Sequence, residues 1–405
     1  MARKMKDSGI EWIGEIPEGW ELRKGKSLYR VTTGKLDANA ENPDGDYPFF
    51  TCSMAPKRIN SYSFDCEALL VAGNGLVGFT QYYKGKFDAY QRTYVLSDFR
   101  NVLPSFLRYY VSVGLPMEVQ PKSIGSVIQF IKLGDLLNFN ITLPSLEQQT
   151  IISNYLEFKI IQIDAILSKT RSSIEEYKKL KQAVITQAVT KGVRGEREMK
   201  DSGVEWIGEI PVNWTIQRFA RVAEVKSNLV SPDNYLEYPQ ISPENIEKDS
   251  GKLLLPCRTV AEVGVISGNH LFYKGQILYS KIRPKLNKVC IAPFDGLCSA
   301  DMYPIESKND TRYIMYCILS NGFLQQVSMI TENRVKMPKI NQVELSKVLV
   351  AIPETIAEQK EIADYLDAKC AEIDKLIAKK EQLVKELESY KKSLIYEVVT
   401  GKREV

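Results

Sequence analysis

The sequence predicts an α+β fold: two mixed α/β blocks separated by two long antiparallel coiled-coil helices, with an internal two-fold repeat. Three observations carry this reading. A short motif occurs twice, almost unchanged. A heptad-patterned segment rich in Lys and Glu follows each block. The blocks themselves set short β-rich runs between Gly, Pro and Asn turns.

Residues 5–17 read MKDSGIEWIGEIP and residues 199–211 read MKDSGVEWIGEIP, at an offset of 194. Only Ile10 and Val204 differ, and Trp20 and Trp214 extend the match. A second pair lies downstream, where 149–167 aligns with 359–377 at an offset of 210. Tyr155/Tyr365, Leu156/Leu366, Ile163/Ile373 and Asp164/Asp374 coincide there, as do Lys181 and Lys391 further on. The order is motif, block, helix, then the same again. The blocks resemble each other little, so the frame is kept while the inserts differ.

Each downstream segment follows a proline, Pro144 or Pro353, with Glu147 or Glu354 and Glu358 in the first turns. Acidic residues favour the positive end of a helix. In the first helix Leu156, Ile163, Tyr177 and Val184 form one seam, and Ile160, Leu167, Ile174 and Ala188 the other. The second repeats this with Leu366, Ile373, Leu387 and Leu394, and with Cys370, Ile377, Val384 and Val398. Sustained heptads of this kind pack helix on helix. At ~43 residues each helix spans about 65 Å, longer than a small domain. A single helix lying on a globular core is the blander alternative.

Strands are expected at 68–72, 93–96, 277–280 and 289–292, and short terminal strands at 139–143 and 348–352. One helix-like stretch falls in each block, 105–113 and 311–324. The expected divisions are 1–143, 144–198, 199–352 and 353–405: block, helix and linker, block, helix.

Composition excludes several functions. Apolar residues make up 44% and charged residues 26%, which is globular rather than disordered. His270 is the single histidine, so catalysis or metal binding built on several histidines is out. The seven cysteines contain no CxxC pair and read as free thiols in a reducing compartment. There is no signal-peptide pattern and no apolar run of membrane-spanning length, so a cytoplasmic protein without a membrane is expected. No P-loop or EF-hand loop occurs. Asn42-Pro43-Asp44 begins like an adenine-methyltransferase motif but lacks its second proline and aromatic, and reads as a turn. The glycines of 73–78 lack the context of a dinucleotide site and read as a tight loop near a ligand. His270, beside Asn269, reads as a turn residue.

With Lys+Arg 54 against Asp+Glu 50, any nucleic-acid footprint must be local. The block 21–143 holds 14 basic and 11 acidic residues, and 215–352 holds 17 and 13. In the first, the candidates are Lys57, Arg58 and Asn60, Lys84 and Lys86, Gln91 and Arg92, and Lys122 and Ser123. In the second they are Lys281, Arg283, Lys285, Asn287 and Lys288, with Asn333, Arg334 and Lys336. Arg and Lys suit guanine O6/N7, Asn and Gln suit adenine N6/N7, and phosphate contacts fix register. For any one of them a solvated loop is the alternative.

Four features together resemble the specificity subunit of type I restriction-modification enzymes. They are Trp12-Ile13-Gly14-Glu15-Ile16-Pro17 with Trp20, the approach 143–149 (LPSLEQQ) to a long helix, the segment 275–284 (GQILYSKIRP), and the duplicated frame. The resemblance covers nearly the whole chain. One departure is that the approach to the second helix, 352–359, is one residue longer between proline and glutamine. The resemblance implies that each block is a target recognition domain reading half of a split double-stranded DNA site. It implies that the helices are a spacer and dock two methyltransferase subunits. Those would carry S-adenosylmethionine, and restriction subunits would add ATP- and magnesium-dependent translocation and cleavage. This chain itself would be non-catalytic and bind no cofactor. A stand-alone DNA-binding regulator and a coiled-coil scaffold are the alternatives.

Overall fold

The computed structural model describes residues 3–119, 130–332, 334 and 338–405. The chain divides into two units, and the division runs through both long helices. The first unit is the chain up to Arg171 together with Gln382–Val405, and the second is Ser172–Glu381. The first long helix is Leu146–Lys191 and the second Ile356–Val399. Each unit therefore takes half of each helix.

Within the first unit the helix halves run antiparallel, since Asp164 pairs with Lys391 and Arg171 with Glu388. The second unit repeats the geometry with Lys181–Asp374, Arg194–Glu361 and Arg197–Glu358. The seam residues are buried or half-buried. Leu156, Ile163, Leu167, Ile174, Leu366, Ile373 and Leu394 are buried. Ile160, Tyr177, Val184, Ile377, Val384 and Leu387 are half-buried. The heptads do not describe the whole packing, however. Leu156, Ile163, Leu167, Leu394 and Val398 enter one core with Trp20, Phe106, Tyr110 and Phe139. Ile185, Val189, Ile362 and Leu366 enter another with Trp214, Phe219 and Tyr313. Each helix half pairs with a helix and also lies on a globular core.

The two motifs are β-hairpins. Met5–Asp7 pairs with Glu15–Pro17, and Met199–Asp201 with Glu209–Pro211. Asp7 and Asp201 each accept a hydrogen bond from the amide two residues on, at Gly9 and Gly203. The first hairpin closes on the end of the second helix: Tyr396 Oη donates to the Trp12 carbonyl at 2.8 Å. Gly401 lies against Pro17 and Trp20, as Gly192, just past the first helix, lies against Trp214.

The two blocks share a sheet plan. In the first unit the strand order is Arg30–Thr33, Thr93–Ser97, Phe64–Ala72, Thr80–Ala89, then Tyr47–Phe50 and Lys57–Ile59. In the second, Ala223–Val225, Met302–Ser307, Ile277–Ser280 and Val289–Ile291 follow the same order, and a separate four-stranded sheet holds Asn269–Phe272. The terminal strands are Asn140–Leu143, paired with Glu21–Lys24, and Leu349–Ile352, paired with Thr215–Arg218. The helical stretches are Pro104–Val119, Thr311–Leu319 and Asn321–Thr331.

Two expectations change. The stretch 311–324 is broken at Ser320, whose hydroxyl accepts from Phe323 N and donates to the Cys317 carbonyl. His270 is no turn residue: it is buried in a strand, where its Nδ1 has no hydrogen-bond partner among the described residues. Burial, followed by the charge of Lys281, depresses its pKa and favours the neutral ring.

Candidate nucleic-acid interface

The central strand Ile277–Ser280 of the second unit leads into the basic connection 281–288. Ser280 closes this loop, its amide donating to the Lys288 carbonyl at 3.0 Å. A short 3-10 turn, Pro284–Leu286, forms its tip, between Arg283 at φ 46° and Asn287 at φ 43°. A left-handed arginine costs roughly 1–2 kcal/mol, and such strain concentrates at functional loops.

The five candidates here have different fates. Asn287 is buried and its amide donates to the Leu319 carbonyl at 3.3 Å, so it is bonded inward and shapes the loop. Lys288 Nζ donates to the Pro243 carbonyl at 2.6 Å. Lys281 is half-buried, its ammonium 5.2 Å from the centre of the Tyr303 ring. Arg283 and Lys285 are exposed and project from the tip. Arg334 is held by Glu344 and by the Lys339 carbonyl, which offsets its charge. Asn333 and Lys336 lie outside the described residues, as do Lys122 and Ser123.

In the first unit most candidate cations are engaged. Lys57 pairs with Glu41. Arg58 donates from its guanidinium to the carbonyls of Gly45 and Asp46, at 2.8 and 3.1 Å. Asn60 accepts from Asn42. These three hold the turn at 42–45, where Gly45 N donates to the Asn42 carbonyl. Lys84 and Lys86 sit directly across the ladder from Glu67 and Asp65, so that face carries balanced charge. Lys86 also lies 4.6 Å from the centre of the Tyr62 ring. Gln91 and Arg92 are exposed at the turn before the strand Thr93–Ser97.

Among the described residues no group of three or more His, Cys, Asp or Glu is placed to hold a metal ion. No described helix is long and apolar enough to cross a membrane. What the loops offer is hydrogen-bond donors on rigid strands.

The family described as type I restriction modification DNA specificity domain matches this chain twice, over residues 17–176 and 211–386. The chain belongs to that family. The EcoDI specificity subunit of a type I restriction enzyme from Escherichia coli is 39% identical over 364 residues, covering 86% of this chain and 81% of its own length. The MjaVIII specificity subunit of Methanocaldococcus jannaschii is 23% identical over 412 residues, covering 96% and 93%. A chain from a solved structure on complex assembly and conformational transition of the type I R-M system shares the fold, with a TM-score of 0.67. It is 14% identical, over 96% of this chain and 99% of that one. Both matched stretches of this type I specificity chain run from a motif hairpin into the following long helix, so each contains one loop system of the kind described above.

Proposed function

We propose that the chain is the non-catalytic specificity subunit of a type I restriction-modification complex. Each unit reads one half of a bipartite, asymmetric double-stranded DNA site. The observation that carries this reading is a duplicated frame with a common sheet plan, bearing unlike loops. Two copies of one scaffold give two readings, and unlike loops give unlike halves. In the second unit Arg283 and Lys285 are the donors at the tip.

Two methyltransferase subunits dock on the long helices and supply S-adenosylmethionine and the methyl transfer. Restriction subunits add ATP- and magnesium-driven translocation and cleavage. An uncovered apolar face supports the docking: Ile151, Phe158, Ile161 and Ile166 of the first long helix are 47, 60, 63 and 47% exposed.

The test is to express the chain with its methyltransferase partners in a host that lacks other adenine methylation, and to sequence the methylome. A split motif with two different halves is expected. An unsplit motif, or methylation independent of this chain, refutes the reading.

A further inference from the structure

We infer that the first unit reads its half-site with the hairpin loop at 73–79 and Arg92, and not with the more basic strands at 57–60 and 84–86. This rests on the proposed reading and assigns the parts of the first unit to it.

The two blocks have little sequence in common, yet three hydrogen bonds recur around one loop. In the second unit Lys281 N donates to the Asp301 carbonyl at 3.0 Å, and Ile340 N donates to the Lys281 carbonyl at 3.0 Å. Tyr303 Oη then donates to the Ile340 carbonyl at 3.3 Å. In the first unit Gly73 N donates to the Arg92 carbonyl at 2.9 Å, and Ile131 N to the Gly73 carbonyl at 2.9 Å. Tyr94 Oη donates to the Ile131 carbonyl at 3.1 Å. A short helix follows in both, and its third residue accepts from the N-cap amide: Asp135 from Lys132 N at 2.8 Å, and Glu344 from Asn341 N at 3.0 Å.

Gly73 therefore stands where Lys281 stands, and Arg92 where Asp301 stands. Each loop joins the same two neighbours in the sheet order, Phe64–Ala72 to Thr80–Ala89 in one unit and Ile277–Ser280 to Val289–Ile291 in the other. The loop at 73–79 is thus the counterpart of the loop that carries Arg283 and Lys285.

Its chemistry suits a base edge. No Cβ fits at Gly73, which would meet the Arg92 carbonyl oxygen at 2.3 Å, so the backbone packs tightly there. Gly75 and Gly78, at φ 78° and 86°, turn the loop. Leu76 is 49% exposed at its tip. Asn74 suits adenine N6/N7, a leucine suits the thymine methyl group, and Arg92 suits guanine O6/N7. Of the alternative cations in this unit, Lys57 is paired with Glu41 and Arg58 with two carbonyls, while Lys84 and Lys86 lie opposite Glu67 and Asp65 in the ladder, on a strand face of balanced charge.

The test uses the full-length chain with its methyltransferase partners and reads the methylated motif. Arg283→Ala identifies the half read by the second unit. Asn74→Ala, Leu76→Ser and Arg92→Ala should change bases in the other half only, with cognate preference falling roughly 5- to 150-fold per lost base contact. Lys84→Ala and Lys86→Ala should leave both halves unchanged. Leu76→Ser decides the matter if Asn74→Ala lowers the melting temperature, because its side chain is half-exposed. A half-site altered by the lysine variants and untouched by the loop variants overturns the inference. If Arg283→Ala also leaves the motif intact, the proposed reading of the loops fails, and the inference with it.

Discussion

Lys181 Nζ donates to both carboxylate oxygens of Asp374, at 2.9 and 3.0 Å. The repeat places a copy of this pair in the first unit, where Lys391 Nζ reaches Asp164 at 2.6 and 2.8 Å. The copies differ in their surroundings. The Lys181 and Asp374 side chains are 8 and 20% exposed, against 29 and 51% for Lys391 and Asp164. Lys252 adds a second cation to Asp374. Stranding one partner of a buried pair costs about 3–5 kcal/mol, while an exposed pair is worth about 0.2–1 kcal/mol. Asp374→Ala should therefore lower stability by about 3 kcal/mol, and Asp164→Ala by under about 1 kcal/mol. Denaturant melts of both variants check this, and equal losses would contradict it.

The same pair sets a pH dependence. Burial works to raise the Asp374 carboxyl, but hydrogen bonds from Lys252 and Lys181 outweigh it and hold the group below the usual carboxylate range. A depressed folded pKa stabilises the fold above the unfolded value of ~3.9. That contribution disappears as pH falls through the folded value. The stability advantage of the native chain over Asp374→Asn should be steady near neutrality and shrink below about pH 4. A difference that stays constant down to pH 3 would show that the charge contributes nothing.

Cations of similar sequence context should behave differently once mutated. Arg58→Ala removes two guanidinium hydrogen bonds to the turn at 42–46. It should cost about 1 kcal/mol of stability and leave the recognised motif unchanged. Lys285→Ala, at an exposed tip, should change the bases preferred in the half-site of the second unit, with cognate preference falling roughly 5- to 150-fold, and leave stability near native. A changed motif in Arg58→Ala, with native stability, would reverse these roles.

The repeat and both long helices were legible in the sequence because they are local properties. Met5 to Pro17 repeats residue for residue, and Leu156 or Ile373 announces its face by heptad spacing alone. Which cations are free was not legible. The partners of Arg58 are backbone carbonyls twelve and thirteen residues away, and Lys84 comes to stand opposite Glu67 only through sheet register. Asn287 looked like a recognition residue, but the fold turns it inward to Leu319. The glycines of 73–78 mark a tight loop near a ligand, but the loop carries no charge, so a search for basic clusters does not count it among the DNA readers. Only the bonds around Gly73 and Lys281 reveal their equivalence. His270 misled for a similar reason, since nothing near Asn269 marks the strand that buries it.

The end of the second helix offers a last test, because its closing glycine is packed more tightly than its counterpart. Gly192 and Gly401 follow the two helices at φ 78° and 75°, in the left-handed region. An alanine at either site pays roughly 1–2 kcal/mol for that backbone. At Gly192 the added Cβ lies 3.2 Å from the end of the Arg197 side chain, which Glu358 holds, and 3.4 Å from the Trp214 ring, so a shift of a few tenths of an ångström accommodates it. At Gly401 it meets the Pro17 ring at 2.5 Å and the Trp20 ring at 3.1 Å, and neither ring can swing away. Pro17 belongs to the first motif hairpin, so the clash pushes the amino-terminal hairpin off the carboxy-terminal turn. Gly401→Ala should therefore melt several degrees below Gly192→Ala, and should expose the hairpin to proteolysis. Equal melting temperatures for the two variants would mean that the hairpin yields without cost, and that the turn does not anchor it.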